Sequence, residues 1–220
     1  MIQLLVNFLE LVLSVFYRNR FYPRFYLLET ISRVPYFAYL SVLHLYESLG
    51  AWKQADWIKV HFAESWNELH HLRIVEALGG GKHWGDRFIG RIGVLGYYWT
   101  LVFVYMFSPR SAYHFNQLVE EKAYHTYDKF LNENETELKT QPAPQIAIDY
   151  YRDGDLYMFD DFQTSHLLSE RRPKIENLYD VFVAIRNDEM EHLKTMMTCQ
   201  RLDAKEVLKS PHSPEFQPPV

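Results

Sequence analysis

An all-α fold, a bundle of four long helices with further helices at a membrane surface, is what this sequence predicts. Three observations point there. Apolar residues recur at helical spacing through most of the 220 residues, and no stretch alternates for long as a half-buried strand does. The motif Glu-x-x-His occurs twice, as Glu68-Leu69-His70-His71 and as Glu189-Met190-Glu191-His192, on separate predicted helices. Two other predicted helices each carry a glutamate among apolar or aromatic neighbours, Glu29 in FYLLETIS and Glu120 in FNQLVEEKAYHTY.

The elements follow in order. Residues 1–16 are apolar, with Glu10, no basic start and no small-residue cleavage site, so they do not read as a signal peptide. Gln3, Asn7, Glu10, Ser14 and Arg18 form one polar stripe, as in a helix lying in a bilayer interface over residues 1–20. The first bundle helix is expected over 24–49, interrupted and kinked at Pro35 and stopped at Gly50. The second is expected over 52–77, ended by Gly79-Gly80-Gly81. Residues 93–107 carry no charge, but about 20 residues are needed to span a bilayer, so this run reads as a buried core helix or an interfacial one, and the Tyr and Trp within it favour a helix that lies on the membrane. Arg87, Arg91 and Arg110 flank it, and it is expected to continue past Pro109 into the bundle. The third long helix is expected over 111–131 and an acidic loop over 132–144. Short helices are expected around Asp153-Gly154, within an insertion spanning 132–172. The last bundle helix is expected from after Pro173 to about 202. One domain thus covers 1–208, and the proline-rich tail 209–220 is expected to be disordered.

Composition limits the chemistry. The net charge of −5 argues against a nucleic-acid binder relying on phosphate contacts. Cys199 is the single cysteine, so neither an intrachain disulfide nor a thiolate cluster is available. The 16 Tyr, 15 Phe and 5 Trp suit either a large aromatic core or a surface half apolar and half wet. Any metal must rest on carboxylates and imidazoles.

On a helix, positions i and i+3 face the same way, so each Glu-x-x-His can bring a carboxylate and an imidazole to one metal. A single match says little, since chance gives about one in a chain of this composition. Two Glu plus two Glu-x-x-His, one contribution per helix, is the ligand set of a ferritin-like di-iron or di-manganese four-helix bundle. The bland alternative for each glutamate taken singly is a solvated or paired charge on a helix face. Asp188 and Asn67, next to ligand candidates, are placed to hold a ligand histidine. Tyr127 lies two turns after Glu120 and shares its face; it reads either as an electron and proton donor or as a buried, singly bonded tyrosine.

The segments LLETISRVP, AESWNELHHLRIVEALGG, VEEKAYHTYDKF and AIRNDEMEHLKTM resemble the alternative oxidase family, and NELHHL and RNDEMEH its plastid terminal oxidase branch. The resemblance covers about residues 22–201. It implies a membrane-bound, monotopic quinol oxidase with two iron ions that oxidises two quinols and reduces O2 to two waters. Such an enzyme resists cyanide and pumps no protons. The implied iron ligands are Glu29, Glu68, His71, Glu120, Glu189 and His192. Tyr127 matches the active-site tyrosine, and Asn67 and Asp188 match polar residues around the ligands. Arg24, Leu28, Ala123 and Thr126 match the quinol pocket. The long spacer between Glu120 and Glu189, with DGDLYMFDDFQTS, resembles the plastid branch and implies plastoquinol. A homodimer on a lipid bilayer surface, the thylakoid in a cyanobacterial, phage-encoded or plastid setting, follows from the same resemblance. With no long N-terminal extension in this sequence, neither a transit peptide nor the regulatory cysteine of some mitochondrial relatives is expected.

Three rivals share some of these features. A di-iron monooxygenase of quinone rings would give a hydroxylated product in place of water and quinone. A non-catalytic ferritin-like iron-binding protein would present a soluble surface, which fits poorly with the apolar 93–107 run. A metal-free membrane scaffold would bind no iron.

Overall fold

Aromatic and aliphatic side chains at three- and four-residue spacing give each long segment an apolar face, and burial of these faces gathers the helices. The computed structural model describes residues 11, 15–17, 20–51, 54–154 and 172–208. Among them all regular structure is helical: α1 (Phe21–Leu49), α2 (Ala55–Ala77), α3 (Trp84–Phe107), α4 (Pro109–Leu138), α5 (Gln145–Asp153), α6 (Leu178–Cys199) and one turn, α7 (Ala204–Val207). The polar stripe of residues 1–20, the 155–171 part of the insertion and the 209–220 tail lie outside the described residues.

Several boundaries differ from those expected. Pro35 does not interrupt α1, which runs unbroken to a left-handed Gly50 at φ 66°. The helix of the apolar run starts at Trp84, nine residues earlier than expected, and at 24 residues it is long and apolar enough to cross a membrane. It does not continue past Pro109. Ser108 adopts φ −152° and ψ 78°, and Pro109 opens a new helix, where its missing N–H costs nothing. Residues 132–138 are the end of α4 rather than a loop, because Leu138, two turns after Leu131, continues the buried apolar edge of Phe130 and Leu131. The last bundle helix stops at Cys199, and its start is fixed by a capping box between Asn177 and Asp180.

The helices form two antiparallel pairs. Gly80, just after α2, passes against Tyr22 and Tyr26 at the start of α1, where any β-carbon would collide with them. Arg186 of α6 and Gln200 just after it bond Asp128 (2.9 Å) and Gln117 (2.8 Å) of α4. α3 lies beside α1 and runs parallel to it. Gly90 meets Leu27 and Thr30, the Tyr98 hydroxyl donates to Ser41 (2.9 Å), and the Tyr46 hydroxyl donates to the Met106 carbonyl (2.8 Å).

The core has two apolar halves. One contains Phe25, Tyr127, Phe130 and Phe182; the other contains Tyr36, Tyr39, Tyr105 and Tyr113. Each of α1, α2, α4 and α6 passes through both halves, and between them each buries its acidic or imidazole residues. The site is therefore a polar layer across the middle of the bundle.

Candidate metal centre

All six ligand candidates fall in this layer. Glu29 comes from α1, Glu68 and His71 from α2, Glu120 from α4, and Glu189 and His192 from α6; none is more than 1% exposed. Their donor atoms form two groups, Glu29–Glu68–His71–Glu189 and Glu68–Glu120–Glu189–His192, within each of which the atoms lie no more than 4.8 Å apart. Glu68 and Glu189 belong to both. The i, i+3 spacing does this work: it stacks each carboxylate under the imidazole of its own helix.

Burial of four acids in one layer is costly. Burial first, then Glu68, raises the Glu29 carboxyl to about 8, although His71 pulls it down. Burial, Glu189 and Glu68 likewise hold Glu120 well above the carboxylate range. Burial also works to raise Glu189, but His192 and His71 outweigh it and bring it to about 2. The two imidazoles are pushed up well above their ordinary value. Burial opposes this, and is outweighed by Asp188, Glu189 and Glu29 at His71, and by Glu189 and Glu68 at His192.

The donor set passes a simple test of fit to two metal ions. Glu29 Oε2, Glu120 Oε2, both Glu189 oxygens and His71 Nδ1 are buried and make no well-aligned hydrogen bond. They approach one another instead, as His71 Nδ1 does Glu189 Oε1 at 3.3 Å and Glu29 Oε2 at 3.6 Å. Oxygen and imidazole donors suit first-row divalent metals such as iron or manganese. The outward atoms, by contrast, are satisfied. Ser32 donates to Glu68 Oε2 (2.5 Å), Tyr36 to Glu120 Oε1 (2.7 Å) and Tyr127 to Glu29 Oε1.

Asp188 Oδ2 lies 3.0 Å from His71 Nε2 and also accepts from Asn67 (3.0 Å) and Tyr151 (2.9 Å). Asn67 donates in addition to the Tyr150 hydroxyl (2.8 Å). Asn67 and Asp188 thus lie beside His71, while Ser32, Tyr36, Tyr150 and Tyr151, which bond the same layer, were not anticipated from the sequence. Ser32 and Tyr36 had a signal, since both share the Glu29 face at spacings of three and seven. The α5 tyrosines had none, because nothing in DYYRD says what the short helix covers.

Arg24 and Thr126 line a groove of about 690 Å³ together with Phe21, Phe25, Lys122 and Phe130. Leu28 and Ala123 do not line it; Leu28 is half-buried against the first aromatic half of the core, and Ala123 is buried. Phe25 stands between groove and layer, stacked on Tyr127 at 4.6 Å between ring centroids.

This fold and this layer define a class: carboxylate–histidine helical bundles that hold two metal ions side by side. Within that class the chain belongs to the alternative oxidase family, whose model matches residues 2–201. It is 59% identical over 202 residues to Arabidopsis thaliana ubiquinol oxidase 4, chloroplastic/chromoplastic, covering 92% of this chain and 57% of that protein. Mitochondrial relatives stand further off. Ubiquinol oxidase 2 of Glycine max is 33% identical over 190 residues (85% and 50% of the two chains). The mitochondrial ubiquinol oxidase of Mangifera indica is 31% identical over 189 (85% and 53%). The chain spans about half the length of the curated relatives it matches.

Proposed function

We propose that this protein is a membrane-bound plastoquinol:oxygen oxidoreductase that uses two iron ions to reduce O2 to two waters, at the expense of two quinols. The observation that carries the reading is the sharing of Glu68 and Glu189 between the two donor groups, which is what two carboxylate-bridged ions require. Higher identity to a plastid relative than to mitochondrial ones favours plastoquinol, the quinol of plastid membranes, and a thylakoid setting.

Bound iron would supply the electrons and the open coordination that oxygen reduction needs. The chain's own residues do the rest. Glu29, Glu68, His71, Glu120, Glu189 and His192 would hold the ions, and Asp188 fixes the tautomer of His71 so that Nδ1 faces inward. Tyr127 keeps a phenolic proton on Glu29, beside the ions, and the stacked Phe25 ring excludes water from it. Arg24 and Thr126 give a quinol head group its polar handle, and Phe21, Phe25 and Phe130 its apolar walls.

The membrane face is α3. Trp84, Phe88, Ile92, Leu95, Trp99, Phe103 and Phe107 form one stripe, each at least 49% exposed. Because the opposite face of α3 packs along α1 from Gly90 to Met106, we read the helix as lying on the bilayer rather than crossing it. A homodimer is proposed on family membership.

Oxygen uptake by iron-loaded protein in liposomes, with a plastoquinol analogue and cyanide, tests the assignment. One oxygen consumed per two quinols, without peroxide, is the expected result. A hydroxylated quinone product would replace it with the monooxygenase reading, and two bound irons without quinol-dependent uptake with an iron-binding one.

A further inference from the structure

We propose that Tyr113, bonded to the His61–Glu64 pair, is a redox-active tyrosine that gives one electron to the oxidised metal centre while its phenolic proton passes to His61. The inference rests on the oxidase reading above.

The three residues form a buried line in the aromatic half of the core beyond Glu120. Tyr113 Oη lies 2.8 Å from His61 Nε2 and 2.6 Å from Tyr105 Oη, and His61 Nδ1 lies 2.9 Å from Glu64 Oε2. Tyr113, His61 and Glu64 are 1%, 0% and 2% exposed. A carboxylate only accepts, so Glu64 places the imidazole proton on Nδ1 and leaves Nε2 to accept from Tyr113. Tyr105 then donates to Tyr113.

That direction is the one a tyrosine needs in order to be oxidised. Loss of an electron makes the phenol a strong acid, and in a dry core its proton must have a base within hydrogen-bond reach. His61 is that base. Tyr113–OH and neutral His61 become a neutral tyrosyl radical and an imidazolium, the electron going to the metal centre. The imidazolium is then held by Glu64. One electron from quinol, and return of the proton from His61 Nε2, restores the pair.

A purely structural role accounts for less. Any neutral acceptor would satisfy a buried phenol, whereas burying Glu64 behind the imidazole is costly unless a cation forms beside it. Its second oxygen, Oε1, makes no hydrogen bond at all. The line also connects to the metal layer through rings. Tyr36 donates to Glu120, and its centroid lies 5.4 Å from His192 and 6.3 Å from His61. Tyr39 bridges onward, 5.3 Å from His61 and 5.1 Å from Tyr113. Tyr127 differs in kind, since its proton partner, Glu29, is itself a proposed ligand. Tyr113 keeps its proton clear of the ligand set, and so can supply an electron when no quinol is bound.

The test mixes ferrous-loaded full chain with oxygen in the absence of quinol and freezes it for electron paramagnetic resonance. Expected is a tyrosyl signal that narrows with ring-deuterated tyrosine, carries a nitrogen coupling from imidazole, and is lost in Tyr113→Phe and His61→Gln. The glutamine keeps an acceptor but cannot take the proton. The nitrogen coupling is read on the unaltered protein, so the inference stands or falls even where a variant does not fold. A signal that survives Tyr113→Phe, or lacks the nitrogen coupling, overturns it. So does the absence of any radical in protein that consumes oxygen and oxidises quinol, which leaves the oxidase reading intact. No oxygen consumption by iron-loaded protein overturns both.

Discussion

Oδ2 of Asp188 lies 3.0 Å from Nε2 of His71, so an acid on α6 sets the orientation of an imidazole on α2. The same oxygen is held by Asn67 and Tyr151, which leaves it little freedom to turn away. The bond thus spans the two antiparallel pairs at the level where the proposed ligands converge. Replacing Asp188 by Ala should weaken iron binding by about 10- to 100-fold, the usual cost of losing such a partner. Chelator competition measures it, and an unchanged affinity would mean that His71 is oriented by its packing alone.

Stripping the metal should make stability depend on pH in a definite direction. The Glu29 carboxyl, raised to about 8, contributes stability that is present below about 4.5 and lost as pH rises through 8. His71 and His192, also raised, act in the same sense above 6.5. Glu189, lowered to about 2, loses its contribution only in strong acid. Metal-stripped protein should therefore melt lower at pH 8 than at pH 5.5, and ferrous iron should remove that difference, because binding displaces these protons. Calorimetry across that range is the check; a flat profile would contradict the buried cluster.

Arg24 lines the groove proposed to take the quinol head group. Arg24→Ala should raise KM for a plastoquinol analogue about 10- to 100-fold, the value of a hydrogen bond to a charged group, and leave iron content unchanged. Leu28→Ala should do less, since Leu28 does not line the groove. Equal effects in steady-state assays would place the head group deeper than the groove.

The exposed stripe of α3 should carry the membrane affinity. Trp99→Glu with Phe103→Glu should lower partition into liposomes by about tenfold or more while two irons remain bound. Sedimentation with vesicles reads this directly. Retained binding would assign the attachment to another part of the chain.

Much of this was legible in the sequence because helix geometry is local. The spacing of Glu68 to His71 and of Glu189 to His192 fixes which face each pair shares, whatever the helices pack against. Gly50, Gly79 and Gly81 likewise mark their breaks through a left-handed backbone conformation. What sequence reasoning missed depends on contacts between distant segments. Tyr150 and Tyr151 reach Asn67 and Asp188 only because α5 folds back over α2, and the break at Ser108 arises where α3 leaves α1 for α4. The helix of the apolar run was underestimated because Arg87 and Arg91 read as flanks, whereas the helix runs on through them past Asp86, which is buried and bonded to Tyr17 and Arg20.

The placement of the polar layer bears on how sequence length can drift within such a chain. Each of four helices crosses the layer once, and one inserted residue turns the remainder of a helix by about 100°. An insertion between Glu29 and Pro35, or between Glu189 and Met196, would swing one flank of its helix out of register with the other three, and no neighbouring loop could correct it. Insertions between α5 and α6 leave every crossing where it is. Gain and loss of residues should therefore be confined to the connections, with the four crossing segments constant in length even where their identities change.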